Sequence, residues 1–520
     1  MRLLASRESR RSSSVIAARE GGRQSRRSGR RRPAREGGWL RVLLVVIAFG
    51  VMPHAQQPPD RSKPPKPGAP PELKLPAIEK RQLSNGLPVW IVQLHEVPVA
   101  QINLVIRSGS ADDPPRRFGL ANMTAAMLMQ GAGSRSALDV ADAIDYLGAT
   151  LSADSTSDLS AIRLHVPVAR LADALPVMAD IALRPTFPTD ELDRLRQQRL
   201  TTILQARDDP STIAAFAFTR VLYGPNHRYG TPQMGTAEVI KTFTAEEMKS
   251  FYGSAYRPDN ATLLAVGDVT PERLLPMLES SFGMWKAPAG TKASQTLPAV
   301  QPATARTVYI VDKPGAPQSQ IRIGGIGVPR STTDFFPIQV MNTALGGSFS
   351  SRLNNNLREV HGYTYGAASS FDMRIGPGPF SASAGVQTDK TAESLTEFFN
   401  ELNGILKPAP AEELTRARNY VALRFPSTFE TTGDMARRLE DMIVFQLPND
   451  YFSNYVDRIQ AVTAADVQRV AEKYVVPQRA AVVVVGDRKV IEPGIRALNL
   501  GPIRAMTLDE VFGPAPTLDR

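Results

Sequence analysis

The sequence is organised around a helix-like stretch in its first half, which reads Gly119-Leu-Ala-Asn-Met-Thr-Ala-Ala-Met-Leu-Met-Gln-Gly-Ala-Gly-Ser-Arg135. Its apolar residues recur with the spacing of one helix face, at i, i+3, i+7 and i+8. They are Leu120, Met123, Met127 and Leu128. We therefore predict a helix that begins after Gly119 and buries this face in a hydrophobic core.

Three positions on a neighbouring face of this helix carry no metal-binding chemistry. Asn122, Ala125 and Ala126 have the spacing of the first His, the Glu and the second His in an H-x-x-E-H zinc motif. In that motif the two His bind zinc and the Glu is the general base. The stretch therefore has the frame of a zinc-peptidase helix without its ligands.

The flanking residues resemble the pitrilysin/insulinase family of zinc metallopeptidases, which reads G-L-x-H-x-x-E-H-M followed by G-x-x-x-R. This chain has Gly119 and Leu120 before the three positions, Met127 directly after them, and then Gly131 and Arg135. The resemblance implies an α+β fold of two repeated pitrilysin-like domains. Each would be an antiparallel or mixed sheet flanked by helices, and the two would form half of a clam-like chamber.

The resemblance also implies a third zinc ligand, a Glu on a later helix just before a stretch that here reads Arg207-Asp-Asp-Pro210. The usual Glu-Glu pair is replaced by Thr201 and Thr202. Catalytic zinc needs three protein ligands and an open position, so we predict no metal and no cofactor bound by this chain. The degenerate positions are Asn122, Ala125, Ala126, Thr201 and Thr202. On this resemblance, zinc is expected in a partner subunit.

The second half contains an Arg and a Tyr seven residues apart, Arg358 and Tyr365. In the family such a pair reaches across the chamber to the zinc, where the Tyr stabilises the oxyanion and the Arg holds a substrate carbonyl. Fixed donors aimed at developing charge can each contribute ~3 kcal/mol. The alternative is that Arg358 makes a local ion pair and Tyr365 packs in the sheet.

Three further residues are candidates for substrate binding. Gly346 and Gly347 correspond to a mobile substrate-sensing loop in the family, although a tight turn would also explain them. Tyr363 is predicted to share a strand face with Tyr365 and could act as a substitute donor.

An internal repeat predicts two copies of one domain. Thr244-Ala-Glu-Glu and the Val266-Gly-Asp that follows it recur, at an offset of 219, as Thr463-Ala-Ala-Asp and Val485-Gly-Asp. A second matching pair, at an offset of 222, is Glu191-Leu-Asp-Arg-Leu-Arg and Glu413-Leu-Thr-Arg-Ala-Arg. The predicted domains are 79–285 and 306–505, with a linker at 286–305 and a tail at 506–520.

The net charge of +10 belongs entirely to residues 1–41, which hold thirteen Arg and three Glu. An apolar run at 42–52 follows, so we predict a signal peptide at 1–55 with a long Arg-rich n-region. Residues 56–78 contain eight Pro and are predicted to be an extended linker. We expect export to the periplasm, with membrane tethering by an uncleaved signal as the alternative, and no nucleic-acid partner.

These patterns predict a non-catalytic, substrate-binding subunit of a heterodimeric zinc metallopeptidase. A homologous H-x-x-E-H subunit would hold the zinc, and the substrates would be peptides or unfolded segments. The chain has no Cys, and no G-x-S-x-G, P-loop or dinucleotide motif in a suitable context. The alternative is a catalytically inactive peptide-binding or structural scaffold protein of the cell envelope.

Overall fold

The computed structural model describes residues 74–287 and 296–517, which all belong to one compact unit. The predicted signal peptide, most of the Pro-rich linker and residues 288–295 of the predicted interdomain linker lie outside the described residues. Among the helices described, none is both long enough and apolar enough to cross a membrane.

Strands in the described ranges form two large sheets and one short hairpin. In chain order they are β1 (Glu79–Gln82), β2 (Pro88–Gln93), β3 (Val99–Ile106), β4 (Gly131–Ala132), β5 (Arg135–Ser136), β6 (Thr150–Ser155), β7 (Ser160–Pro167), β8 (Ala261–Gly267), β9 (Thr307–Asp312), β10 (Gln318–Ile326), β11 (Thr364–Phe371), β12 (Pro379–Gln387), β13 (Ala481–Gly486) and β14 (Ile503–Met506).

Helices flank both sheets. In chain order the α-helices of the described ranges are α1 (Leu120–Leu128), α2 (Ala137–Tyr146), α3 (Leu171–Leu183), α4 (Thr189–Ala206), α5 (Pro210–Tyr223), α6 (Ala237–Ile240), α7 (Ala245–Ala255), α8 (Pro271–Phe282), α9 (Phe335–Asn342), α10 (Arg352–Asn354), α11 (Thr391–Gly404), α12 (Ala411–Arg424), α13 (Thr432–Val444), α14 (Tyr455–Gln460), α15 (Ala464–Tyr474), α16 (Arg488–Ala497) and α17 (Leu508–Phe512).

The two six-stranded sheets repeat one topology. The first has the order β1-β2-β8-β3-β7-β6, and the second has the order β14-β9-β13-β10-β12-β11. In each, the second and third strands are parallel and the following pairs are antiparallel. Only the first edge strand differs, because β1 is antiparallel to its neighbour whereas β14 is parallel. The predicted α+β fold with two repeated halves is confirmed.

The predicted helix at the centre of the first half is α1, and its four apolar residues are all buried. Gly119 precedes it with φ +107°, and a Cβ there would lie 2.6 Å from the Met234 carbonyl oxygen. Only glycine combines this backbone angle with so close an approach. Thr244 and Thr463 begin α7 and α15 with the same capping box, which explains why this part of the repeat is visible in sequence.

The two halves exchange equivalent helices. Helix α5 of the first half packs on β10 and β13 of the second sheet, and α13 of the second half packs on β3 and β8 of the first. Pro210 and Thr432, which begin the two helices, are separated by the offset of 222 seen in the sequence. The segment assigned from sequence to a tail also contributes, because Phe512 of α17 packs edge-on against Phe216 of α5.

Candidate functional site

The degenerate metal positions lie on two helices of the first half. Asn122, Ala125 and Ala126 lie on α1, where Ala125 is fully buried. The Asn122 amide donates to the Ser155 carbonyl oxygen over 3.3 Å. On α4, the hydroxyls of Thr201 and Thr202 each donate over 3.0 Å to a carbonyl oxygen one turn earlier in their own helix.

These side chains do not fit a zinc ion. Ala125 and Ala126 offer no donor atoms, and the two threonine hydroxyls are used within α4. Within 74–287 and 296–517, no three His, Asp or Glu side chains come together in a way that could hold a metal. Three nitrogen or oxygen ligands are the minimum for catalytic zinc, so no metal chemistry is assigned to these positions.

A buried ion pair, not singled out from the sequence, fixes the start of α1. The Asp113 carboxylate accepts the backbone N–H groups of Gly119 and Ala121 over 2.7 Å each. Arg228 Nε lies 2.8 Å from Asp113 Oδ2. Burial raises the pKa of the Asp113 carboxyl to about 6, although Arg228 and the two N–H donors act in the opposite direction. No sequence signal connects these two residues, because they are 115 positions apart.

Arg358 lies in a π-helical turn, Asn355–Val360, directly before β11. Its side chain is 40% exposed, and its Nε lies 3.3 Å from the Glu359 carboxylate. Its guanidinium also lies over the ring of Phe349, 4.7 Å from the centroid. The local ion pair considered as an alternative is therefore present. A half-exposed pair of this kind is weak and leaves donors of the guanidinium accessible.

Tyr365 lies at a bulge near the start of β11. The pairing of β11 with β12 shifts register between Thr364 and Ala367. The Thr364 hydroxyl stabilises this bulge by donating to the Gly385 carbonyl oxygen over 2.6 Å and accepting the Gly366 backbone N–H over 3.1 Å. Bulges redirect side chains and are common beside active sites. The Tyr365 ring is 89% exposed, so it does not pack in the sheet.

Gly346 and Gly347 end a second π-helical turn, Thr343–Gly347, which lies against β11. A Cβ on Gly346 would lie 2.3 Å from the Ser369 backbone nitrogen, so only glycine fits there. The Asn342 side chain joins this turn to the strand by donating to the Ser369 carbonyl oxygen and accepting from the Ser369 hydroxyl, over 3.0 and 2.8 Å. Within the described residues, the two glycines therefore form a supported turn beside the strand that carries Tyr365.

Tyr363 has a different environment from Tyr365. It precedes β11, is half-buried, and stacks on the His361 ring at 5.0 Å between centroids. The bulge separates it from the exposed part of the strand. The second-half candidates thus gather around β11, whereas the degenerate metal positions belong to α1 and α4 of the first half.

Exposed apolar side chains lie within and beside the Arg358–Tyr365 segment, and Phe349 contacts the segment through Arg358. Phe349 is 61% exposed and Val360 is 67% exposed. Together with Tyr365 they form what we call the apolar rim, defined by Phe349, Val360 and Tyr365. Grouped exposed apolar residues beside polar donors are typical of surfaces that bind a protein or a peptide.

Two family models match this chain. The insulinase (peptidase family M16) model matches residues 89–223, and the peptidase M16 inactive domain model matches residues 242–421. Among curated proteins, the chain is 26% identical over 418 residues to an uncharacterized zinc protease of Streptomyces coelicolor, covering 79% of this chain and 90% of the relative. It is 24% identical to the uncharacterized zinc protease YmxG of Bacillus subtilis, covering 69% and 87%.

Solved structures share the fold. A peptidase M16 inactive domain from Pseudomonas fluorescens superposes with a TM-score of 0.72 at 24% identity, over 79% of this chain and 98% of that one. A protease from Helicobacter pylori gives a TM-score of 0.74 at 21% identity, over 79% and 100%. The chain has two repeated α+β halves, and α1 lacks the H-x-x-E-H ligands at the positions of the zinc motif. It belongs to the insulinase (M16) peptidase family, as a member without the H-x-x-E-H motif.

Proposed function

We propose that this protein is the non-catalytic, substrate-binding subunit of a two-subunit M16 metallopeptidase. In this proposal a homologous subunit with an intact H-x-x-E-H motif holds zinc, and this chain supplies Arg358 and Tyr365 to the shared chamber. The substrates are peptides or unfolded segments, and the complex acts in the periplasm. The zinc would polarise the scissile carbonyl and its bound water.

The observation that carries this proposal is the exposure of Tyr365. A tyrosine at the start of a strand ordinarily packs against its neighbours, but the bulge leaves this ring 89% exposed. The hydroxyl is thereby free to donate to a group outside this chain, and Arg358 lies in the adjoining turn. In the isolated chain these exposed donors have no oxyanion to stabilise. A zinc-bearing partner subunit would require hydrogen-bond donors of this kind for the oxyanion that forms during peptide hydrolysis.

The sheet edge supports the choice of an extended substrate. Strand β11 is the last strand of the second sheet, so its outer edge has no strand partner in the described residues. An extended peptide can add to such an edge through backbone hydrogen bonds, while side-chain pockets provide selectivity. Tyr365 lies at the start of this strand, where an added peptide would meet it.

The apolar rim supports the proposal of a partner subunit. Phe349, Val360 and Tyr365 expose apolar surface beside the donors, and burial of such surface is the main favourable contribution to association. The docked partner would also exclude water from Arg358 and Tyr365. A water-excluded site strengthens both donors.

The test is reconstitution. The full-length chain is purified alone and with a co-expressed H-x-x-E-H homologue from the same genome, and cleavage of a quenched fluorescent peptide library is measured. We expect cleavage only by the pair, and a loss of about a hundredfold in kcat/KM for the pair that carries Tyr365→Phe. Arg358→Ala should add to the loss.

Matched control substitutions use exposed residues of the same types elsewhere. Tyr146→Phe, on an 81% exposed ring, and Arg170→Ala, at a half-exposed guanidinium, should leave cleavage unchanged. Full activity of the pair after Tyr365→Phe and Arg358→Ala would refute the proposal. So would stoichiometric zinc and matching turnover by this chain in isolation.

A scaffold role is the second candidate, and one structural match favours it. The fold superposes with a TM-score of 0.65, at 14% identity, on a chain of Complex III2 from Candida albicans, covering 83% of this chain. On this alternative the protein braces an assembly or holds a peptide, and nothing is cleaved. If a tagged chain co-purifies with a stable assembly that lacks any H-x-x-E-H subunit, the scaffold role replaces the peptidase role.

A further inference from the structure

A cavity of this protein lies beside the start of β12, at the opposite end of that strand from the bulge that carries Tyr365. Its volume is about 260 Å³, close to the lower end of the ~300–1,000 Å³ typical of small-molecule sites. Buried apolar side chains form its inner wall: Ile323, Phe380, Leu402 and Val475. Leu222 of α5 and residues 301–305, which connect the two halves, complete it.

The cavity lies in a gap in the sheet, at the point where β13 begins. Gly324 pairs with Ala481, the first residue of β13, but Gly325 and Ile326 extend past it and pair only with β12. On the other side of β13, the first residue of β9 is Thr307, which also pairs with Ala481. Beyond this point, β10 and the segment that leads into β9 therefore have no strand between them.

Glycine keeps this gap open. In the first half, the positions equivalent to Gly324 and Gly325 are Val105 and Ile106, and both are fully buried. A Cβ on Gly325 would meet no atom within 4 Å, so the space that Ile106 fills in one half is vacant in the other. Glycine inside a strand weakens it and often marks a place where another molecule approaches closely.

The rim of the cavity is basic. Arg479 and Lys473 lie at its mouth, and no Asp or Glu of the described ranges lines it. Lys473 is held by Asp334 over 3.2 Å. The exposed guanidinium of Arg479 makes no hydrogen bond or ion pair within the described residues. An apolar inner wall with one unengaged cation at the mouth of the cavity matches a molecule that has an apolar body and an anionic head.

We infer that this cavity is a binding site for the acyl chain of a fatty acid, with the carboxylate at Arg479. The chain would lie along Gly325 against Ile323, Phe380 and Leu402, where it restores the dispersion contacts that an empty apolar cavity loses. The carboxylate would remain at the surface, so it keeps most of its hydration while it pairs with the guanidinium. The site is independent of Arg358 and Tyr365.

The experiment uses the full chain and cis-parinaric acid, a fluorescent fatty acid, with dodecanoate and dodecanol as competitors. We expect saturable binding of one probe per chain, displaced by dodecanoate. Gly325→Ile places the residue of the first half into the cavity and should abolish binding. Gly253→Ile, at another glycine whose Cβ would meet nothing, is the control and should bind as the wild type does.

Arg479→Gln tests the anionic head. It should weaken dodecanoate binding about fivefold, as expected for one exposed ion pair, and leave dodecanol binding unchanged. Absence of saturable binding to the wild type, or unchanged binding to a folded Gly325→Ile variant, would overturn the inference. If dodecanol competes as well as dodecanoate and Arg479→Gln changes neither, the carboxylate at Arg479 is excluded and the inference fails as stated.

Discussion

The two exchanged helices, α5 and α13, occupy equivalent places in the fold and both pack apolar residues on their sheets, but they differ at one equivalent buried position. At the offset of 222, Phe218 of α5 corresponds to Glu440 of α13, and both are buried. Phe218 belongs to an apolar cluster with Val311, Val483 and Val485 of the second sheet. In both halves the helix therefore packs on the sheet of the other half, while the buried residue at this position is apolar in one half and charged in the other.

The contact of α13 combines apolar packing with a polar network. Glu440 accepts from Arg163 Nε and Nη2 over 2.8 Å each, in a bidentate pair. The Asn103 amide also donates to Glu440 over 2.7 Å, and Arg163 pairs with Asp154 as well. A cavity of about 640 Å³ lies beside this network. Buried pairs of this kind contribute little net stability and mainly define one arrangement of the partners, whereas the apolar contact stabilises directly.

The largest effect is expected at the apolar contact. Phe218→Ala should lower the free energy of unfolding by about 4 kcal/mol, because it removes a buried ring and leaves a cavity between α5 and the second sheet. Urea unfolding followed by circular dichroism measures this. Phe349→Ala is the control at an exposed ring and should change the free energy by less than about 0.5 kcal/mol. Equal losses in the two variants would contradict the assignment of α5.

A smaller effect is expected at the polar contact. Glu440→Ala should cost about 3 kcal/mol, because Arg163 then loses its bidentate partner while it remains mostly buried. The value lies at the low end for buried pairs because Arg163 keeps Asp154. The same urea experiment measures the loss.

A double substitution tests whether Glu440 and Arg163 act as one coupled pair. Glu440→Leu combined with Arg163→Met should recover most of the stability lost in Glu440→Ala, since a buried ion pair and an apolar replacement of similar volume are often equivalent. A double-mutant cycle gives the coupling directly. If the double variant is as unstable as the sum of its two single variants, the pair is not the coupled unit described here.

The sequence could predict the repeat and α1 because both depend on local signals. Capping boxes at Thr244 and Thr463 and the spacing from Leu120 to Leu128 are visible without tertiary information. The exchange of α5 and α13 could not be predicted, because an apolar helix face does not reveal which sheet it covers. The same limit applies to Glu440, which as a charged residue in a helix would be expected at the surface.

The parts of the candidate site also differ in how far the sequence could predict them. Motif spacing, compared with the family pattern, singled out the degenerate positions on α1 and the Arg358–Tyr365 pair as candidates whose roles stay predictions. It could not predict the bulge that exposes Tyr365, because a bulge depends on the register with β12. It also placed Tyr363 on the strand, whereas the structure has that residue before β11 and stacked on His361.

The equivalent helices α1 and α9 each have a carboxylate near their start, Asp113 and Asp334, and the two carboxylates are expected to affect stability with opposite pH dependence. Burial alone would raise the pKa of Asp334, but hydrogen bonds from Tyr474, Arg469 and Lys473 outweigh it and lower the pKa to about 2. Asp334 therefore stabilises the folded state above its ordinary pKa of about 4, and this stabilisation is lost as the pH falls through about 2. Asp113 has the opposite pH dependence. Because its pKa is raised to about 6, its contribution to the stability of the folded state falls as the pH rises from about 4 to about 6.

We expect Asp334→Asn to cost about 1 kcal/mol at pH 6, a value reduced because solvent screens the exposed Arg469 and Lys473. The difference from the wild type should shrink towards pH 2, where about half of the wild-type Asp334 is protonated in the folded state. Urea unfolding at pH 6, 4 and 2.5 measures it. A difference that stays constant over this range would show that Asp334 acts through packing and not through its charge.

The smallest effect on stability is expected at the candidate site of the second half. Tyr365→Phe removes one hydroxyl from a ring that is 89% exposed, so the free energy of unfolding should change by less than about 0.5 kcal/mol. Thermal and urea unfolding of the isolated chain measure this, with Tyr363→Phe as a neighbouring half-buried comparison. A stability change well above that limit would mean that the Tyr365 hydroxyl supports the fold. A negligible change, together with lost cleavage by the reconstituted pair, would separate its role from folding, because the hydroxyl then matters only when a second subunit is present.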